Sequence, residues 1–344
     1  MSGRHDAGTQ MTLSGLGAGA EFDRIRAIAA ALASGAGALD DDCALVPVCE
    51  GQPERDAVTL ALSTDASIEG VHFRREWLAF EEIGWRAAAA ALSDLAAEGA
   101  EPIGLLAAVA APLVSGAAAA DGSGADLVAI MRGVGAAAAS VGARVLGGDL
   151  STGPVWSITA TVVGRAVRPV TRAGAESGDG IWVTGALGGA RAAVLAWRRG
   201  EEPAPAARRA FAHPEPRIAA GRWLAGHGAR AMLDLSDGLA GDAEHLAAAS
   251  RVALEFELER IPVAEGVEPA VADAAAASAF AAEGGEDYEL LAALPPAFGS
   301  AGAAAFTAAT GLRLTRIGLA RQGAGVRFLA RGAAVTLRGF DHFR

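Results

Sequence analysis

Three times along this chain a short apolar run gives way to aspartate. Val58–Leu62 leads into Ser63-Thr64-Asp65, Ala143–Leu146 into Gly147-Gly148-Asp149, and Ala231–Leu233 into Asp234-Leu235-Ser236-Asp237. Each apolar run reads as a strand. Ser63, Thr64 and Asp65 at a strand end would offer three hard oxygen ligands of the kind magnesium prefers. Taken singly, such a segment is equally a capped turn, and Ser236 or Asp237 before Gly238 is equally a helix N-cap. The repetition favours a shared site. Carboxylates that converge from several strands cannot do so bare, since two like charges about 4 Å apart repel by roughly 4 kcal/mol at an effective dielectric of 20.

The intervening stretches supply more elements. Glu21–Ala33 has helical spacing, and Leu39-Asp40-Asp41-Asp42 runs into an apolar strand at Cys43–Val46. Glu81–Ala100 reads as a helix with Asp94 among alanines and leucines. A buried unpaired carboxylate is expensive, so Asp94 is expected to meet a cation. Ile103–Ala111 and Trp156–Val163 read as strands flanking a helix over about 125–140, and a boundary falls near 164–172. Beyond it come a strand ending at Gly185, a helix over Gly189–Arg199, a proline-bearing connection at Pro203–Pro216 and a helix from Pro216. Gly284-Gly285-Glu286-Asp287-Tyr288 then precedes another strand and holds the sole tyrosine.

With 344 residues the chain exceeds what one core supports, so two domains are expected. Residues 1–20 read as a flexible leader, 21–166 as an N-terminal domain and 167–344 as a C-terminal domain. No apolar run is clean enough to span a membrane, no signal peptide is visible, and Cys43 and Cys49 are too few for a disulfide framework. A cytoplasmic protein is expected. The net charge of −11 argues against a nucleic-acid binder. All 29 basic residues are arginine. Without lysine there is no P-loop, no kinase strand lysine and no Schiff base, so phosphates would have to be held by metal ions, arginine and backbone N–H groups.

In order along the chain, Asp41-Asp42-Cys43-Ala44, Ser63-Thr64-Asp65…Glu69-Gly70-Val71-His72-Phe73, Leu92-Ser93-Asp94-Leu95-Ala96-Ala97…Gly99-Ala100-Glu101-Pro102, Gly147-Gly148-Asp149, Asp234-Leu235-Ser236-Asp237-Gly238-Leu239 and Gly284-Gly285-Glu286-Asp287-Tyr288-Glu289-Leu290 together resemble the thiamine-monophosphate kinases. That family belongs with aminoimidazole-ribonucleotide synthetase and selenophosphate synthetase. The resemblance implies an α/β (α+β) synthetase-like fold of two domains, the N-terminal sheet pairing with that of a second subunit in a homodimer. It implies ATP- and Mg2+-dependent conversion of thiamine monophosphate to thiamine diphosphate. By motif position, Asp42, Thr64, Asp65, Asp94, Asp149 and Asp234 would hold magnesium, assisted by Ser63 and Asp237. Asp65, Asp149 and Asp237 would act most directly in catalysis. Gly148, Asp149, Arg172 and Ser236 would contact ATP, while His72, Glu286 and Phe340 would line the thiamine phosphate site. The chain departs from the pattern at Asp40, where glycine is usual, and at Thr152, where arginine is more common. The alternatives are another ATP-dependent synthetase of the superfamily, or a non-catalytic sensor of thiamine phosphate or nucleotide. Met1–Asp40 lacks the reactive cysteine of the selenophosphate enzymes, and a sensor has no need of six metal-type aspartates. A phosphate monoester acceptor is largely ionised near neutral pH, with a second pKa of about 6, so no general base is required.

Overall fold

The computed structural model describes residues 20–32, 41–48, 58–112, 123–267, 270–271 and 274–339. The proposed leader, Asp40, Cys49 and Phe340 lie outside these residues, apart from Ala20, which opens the first helix. Two sheets organise the rest. The first contains β1 (Ala44–Pro47), β2 (Thr59–Ile68), β3 (Glu101–Ala111), β4 (Arg144–Thr152) and β5 (Ser157–Ala166), in the order β1-β2-β5-β3-β4. Only β3 and β4 run parallel. The helices of this half are α1 (Ala20–Leu32), α2 (Phe80–Ala97) and α3 (Ser123–Ser140).

The second sheet is built from β6 (Gly180–Thr184), β7 (Ala231–Asp234), β8 (Ala253–Glu257), β9 (Leu290–Leu294), β10 (Leu314–Arg321), β11 (Gly325–Ala330) and β12 (Ala333–Val335). Its order is β12-β11-β8-β10-β6-β9-β7. Around it lie α4 (Gly189–Arg198), α5 (Pro205–Ala212), α6 (Ile218–Gly226), α7 (Leu239–Ser250), α8 (Ala274–Ala282) and α9 (Gly299–Thr310). The α/β (α+β) class expected from the motifs is borne out, and α5 fills the stretch read only as a connection. Pro205 sits at its first turn, where a missing N–H costs nothing. Among the described residues, no helix is long and apolar enough to cross a membrane.

The helix between the two sheets is α2, which packs on α3, the first sheet, α6 and β7. Its run Ala87–Ala91 is buried, so the alanine richness of this helix is a means of close packing. At the α2–α3 crossing the approach is closer still. A Cβ on Gly84 would stand 1.9 Å from the Ile130 carbonyl oxygen, and one on Gly133 1.9 Å from that of Glu81. Gly84→Ala must therefore push the two helices apart, at an expected cost of about 3 kcal/mol, the upper end for overpacking. Urea melts of the variant check this, and an unchanged midpoint would contradict the packing.

The Ser63-Thr64-Asp65 segment is not a strand end. β2 continues to Ile68, pairing with β5 at Asp65↔Ala160 and Thr64↔Thr161. Alternation along a continuing strand divides the three side chains between opposite faces. Ser63 and Asp65 share the face of Ala61 and Ser67, which is turned to α2. Thr64 lies on the other face, its hydroxyl 3.0 Å from that of Thr161. Likewise, Gly147-Gly148-Asp149 falls inside β4 rather than beyond it.

Candidate active site

A cleft of about 590 Å3 opens between the sheets. A stripe of α2 residues spaced by four, Arg86, Ala90, Asp94 and Glu98, runs beneath it, with Ala90 and Asp94 on its surface. Carboxylate oxygens of Asp42, at the approach to β1, Asp94 and Asp234, at the end of β7, all lie within 4.8 Å of one another. Ser63 Oγ donates to Asp94 Oδ2 at 2.5 Å, and Asp65 lies beside them on the cleft wall.

Charge is poorly balanced here. Burial, then Asp234 and Asp42, hold the Asp94 carboxyl well above the usual range. Burial, then Asp42, push Asp234 up to about 7 and Asp41 up to about 6. Arg172 Nη2 donates to Asp42 Oδ1 at 2.5 Å, and the Arg172 backbone N–H donates to Asp41 Oδ1 at 3.1 Å. Asp42 Oδ2 is buried and, among the described residues, meets no donor. Hard oxygens at this spacing, with a buried lone pair unsatisfied, fit a divalent cation.

These shifts carry a pH dependence. Carboxylates of the unfolded chain titrate near 4, whereas folded Asp41 and Asp234 titrate near 6 and 7. Over that window the folded state holds more protons, so the metal-free protein should lose stability as pH rises from about 4 to 7, by up to ~1.4 kcal/mol per pH unit for each group. Melts in EDTA at pH 5 and pH 8 test the sign. A higher melting temperature at pH 8 would overturn it.

The opposite wall comes from two loops joined by backbone hydrogen bonds. Glu286 N–H donates to the Ser236 carbonyl at 2.7 Å and Tyr288 N–H to that of Leu235 at 2.9 Å. Gly285 permits this approach, since a Cβ there would lie 2.6 Å from the Ser236 oxygen. The loop thus presents Glu286 to the cleft beside Ser236 and Asp237. Behind Glu286 stands Arg86, whose Nη2 bonds the carboxylate, while the Tyr288 hydroxyl donates to it at 2.8 Å. Asp287 turns away, and both its carboxylate oxygens accept the N–H of Gly188 ahead of α4 at 2.9 Å. Asp237 and Ser236 do not cap α7 by their side chains. The N-cap is Gly238, and the Asp237 backbone N–H donates to Asp242 Oδ2 at 3.1 Å.

His72 lines the same cleft, and its Nδ1 accepts the Ile68 N–H at 3.1 Å. That bond leaves the ring proton on Nε2. Arg74, Arg191, Arg198 and Arg338 stand around the cleft with Trp77 and Phe211. The structure therefore brings together Asp42, Ser63, Asp65, Asp94, Asp234, Ser236, Asp237, His72 and Glu286, with Arg172 bound to Asp42. It does not bring Gly148 or Asp149 to them. Both lie on the exposed edge strand β4, three strands from β2 or about 14 Å by strand spacing. Asp149 shares the outward face with Ala108 and Thr159, so its side chain faces away from the Asp42–Asp94–Asp234 group, whereas Thr64, on the same face of β2, still borders the cleft beside Asp65.

Sequence reasoning missed Arg86, Asp41, Glu98 and the arginines around the cleft. Arg86 and Glu98 were open to detection, since they continue the four-residue spacing of Asp94 through an otherwise alanine-rich helix.

This architecture and this acidic cleft define the AIR synthase class. Residues 40–166 match the N-terminal domain and residues 176–328 the C-terminal domain of AIR synthase related proteins. Among curated relatives, the thiamine-monophosphate kinase of Caulobacter vibrioides is 34% identical over 334 residues, covering 92% of this chain and 88% of that one. The thiamine-monophosphate kinase of Salmonella typhimurium is 34% identical over 332 residues, with coverage of 94% and 95%. A solved structure described as AaThiL complexed with AMPPCP and TMP superposes with a TM-score of 0.79 at 31% identity, covering 97% of this chain and 100% of that one. The chain belongs to the thiamine-monophosphate kinase family.

Proposed function

We propose that this protein transfers the γ-phosphoryl group of ATP in line to thiamine monophosphate, yielding ADP and thiamine diphosphate. The observation that carries the proposal is the meeting of Asp42 with Asp94 and Asp234, the latter two lining a cleft that also presents His72, Glu286 and several arginines. Asp42, Asp94 and Asp234, with Asp65, Ser63 and Asp237 around them, would hold Mg2+, which when bound neutralises phosphate charge and aligns the reacting oxygens. Arg172, which fixes Asp42, would supply cationic charge to the nucleotide phosphates, and Ser236 on the cleft wall would contact them. Gly148 and Asp149 enter the proposal as nucleotide contacts reached from the strand edge, not as ligands of the Asp42 group.

On the acceptor side, His72 Nε2–H donates to the phosphate of thiamine monophosphate, and Glu286 faces the cationic heteroaromatic part. The acceptor oxygen is already ionised, so no side chain need remove a proton. His72→Asn is expected to raise the KM for thiamine monophosphate about tenfold, or ~1.4 kcal/mol, with the melting temperature unchanged. A fall in stability with normal binding would make His72 a packing residue instead.

Residues 21–166 and 167–344 act in this scheme as two domains with the cleft between them, in a cytoplasmic homodimer. Support for the dimer is β4, exposed along its whole length and carrying Val145, Leu146 and Leu150. An unpaired apolar edge of that kind invites a second copy. Incubation of the protein with ATP, Mg2+ and thiamine monophosphate, with chromatography for thiamine diphosphate, tests the activity. Release of ADP without that product would favour another synthetase of the class.

A further inference from the structure

Glu98 closes the α2 stripe, four residues beyond Asp94, at the C-cap of the helix. Its side chain is wholly buried at 0% exposure, and among the described residues neither carboxylate oxygen meets a donor at strict hydrogen-bonding geometry, although the Cys43 N–H and the Asp41 carboxyl stand close enough to act on it. It is not idle in space. Oxygens of Asp41, Asp42 and Glu98 all lie within 4.8 Å of one another. Asp42, whose side chain is only 2% exposed, likewise has a buried Oδ2 without a donor. Two buried carboxylates from different elements thus point unsatisfied oxygens into one spot.

Among the described residues, Arg172 is the one basic side chain paired with this group. The Arg172 guanidinium reaches this region but is engaged by Asp42 Oδ1, with its Nε unpartnered. Asp41 Oδ1 is held by two backbone N–H groups, of Asp42 and Arg172, each at 3.1 Å, which fixes the side chain. A buried carboxylate without a partner or an ion is strongly unfavourable, and three together are more so.

We propose that Asp41, Asp42 and Glu98 form a second divalent-cation site at the base of α2, separate from the cleft, whose wall includes none of the three. Opposite ligand oxygens lie about 4.2 Å apart around Mg2+ and about 4.8 Å apart around Ca2+, so the spacing admits either ion. Asp42 belongs to both groups. An ion bound by Glu98 therefore sets the orientation in which Asp42 meets Asp94 and Asp234. It also ties α2 to the crossover before β6, where the Val170 N–H donates to the Glu98 carbonyl at 3.2 Å and Arg172 follows. The site acts as a brace, and it stands or falls independently of the phosphoryl-transfer reading.

The rival occupant is a proton shared between Glu98 and Asp41. Mn2+ separates the two, because free Mn2+ can be counted by its paramagnetic resonance signal. The full chain, stripped with EDTA and free of nucleotide, is titrated at pH 7.5 as wild type, Glu98→Gln and Asp94→Asn. Wild type is expected to bind at least two ions. Glu98→Gln should bind one fewer, and Asp94→Asn should keep the ion that Glu98→Gln loses. The Mn2+-induced rise in melting temperature should shrink in Glu98→Gln. Glu98→Met, the second variant should Gln not fold, should melt above wild type in EDTA and gain less from Mn2+. An equal ion count and an equal Mn2+-induced shift in wild type and Glu98→Gln would establish the shared proton and overturn the site. Loss of every ion from Glu98→Gln would overturn its separateness from the cleft.

Discussion

Asp94→Asn is expected to lower kcat about 100- to 1,000-fold, the scale for losing one group that organises transition-state charge, while raising the melting temperature of the metal-free protein. Asp94 receives the Ser63 hydroxyl at 2.5 Å and shares its neighbourhood with Asp42 and Asp234. Charges about 4 Å apart repel by roughly 4 kcal/mol at an effective dielectric of 20. In the absence of metal the folded protein relieves this by taking up protons, which is why the Asp94 carboxyl stands well above its ordinary range. Asparagine keeps the shape and the acceptor for Ser63 but carries no charge to protonate. The variant should therefore gain a few degrees in EDTA, since ~1 kcal/mol corresponds to about 2–4 °C for domains of 150–250 residues. Saturating Mg2+ should erase that advantage. Calorimetry with and without EDTA, alongside a product assay, measures both effects. Ordinary turnover, or a lower melting temperature in EDTA, would remove Asp94 from the centre of the site.

The same residue shows why part of this site was legible in the sequence. A carboxylate between Ser93 and Leu95, in a run of alanine and leucine, has no bland role on a buried helix face, so Asp94 announced a cation. Asp42 and Asp234 were legible because each adjoins a short apolar strand. Thr64 and Asp149 were read at strand ends but lie within strands, for a single reason: the strands that carry them do not stop. Local sequence marks where an acid interrupts an apolar run but not whether hydrogen bonding continues through it. β2 continues because β5 offers Ser157–Ala166 as a full-length partner, a tertiary fact. Once it continues, alternation sends Thr64 outward. Glu98 was passed over although it repeats the spacing of Asp94, because an acid at the end of a helix ordinarily faces water. The seven-stranded sheet was only partly visible, since its order joins strands far apart in the chain and no local pattern encodes such pairing.

Arg86 is the other residue whose loss should be severe, and its partners could not have been read locally. Glu286 lies 200 residues further along the chain. The Arg86 side chain, 2% exposed, donates from Nη1 to the Phe211 carbonyl at 2.7 Å and from Nη2 to Glu286. Its guanidinium carbon sits 3.8 Å from the centre of the Phe211 ring. One side chain of α2 thus holds α5 and the 284–288 loop against the cleft. That loop needs holding, because Glu286 and Tyr288 have φ of +70° and +51°. Left-handed backbone at such residues costs of order 1–3 kcal/mol each and persists only where the surroundings enforce it. Removing one partner of a buried ion pair costs about 3–5 kcal/mol, and with Glu286 still 30% exposed the lower figure applies. Arg86→Met should therefore destabilise the protein by about 3 kcal/mol and raise the KM for thiamine monophosphate more than that for ATP, because the freed loop no longer presents Glu286. Arg86→Lys keeps the charge without the fork, so it should recover part of the stability and less of the acceptor affinity. Combined with Glu286→Gln, Arg86→Met should cost less than the sum of the single changes, by about 0.5–3 kcal/mol for residues in direct contact. Strict additivity, or equal effects on both substrates, would reduce Arg86 to a packing residue of α2.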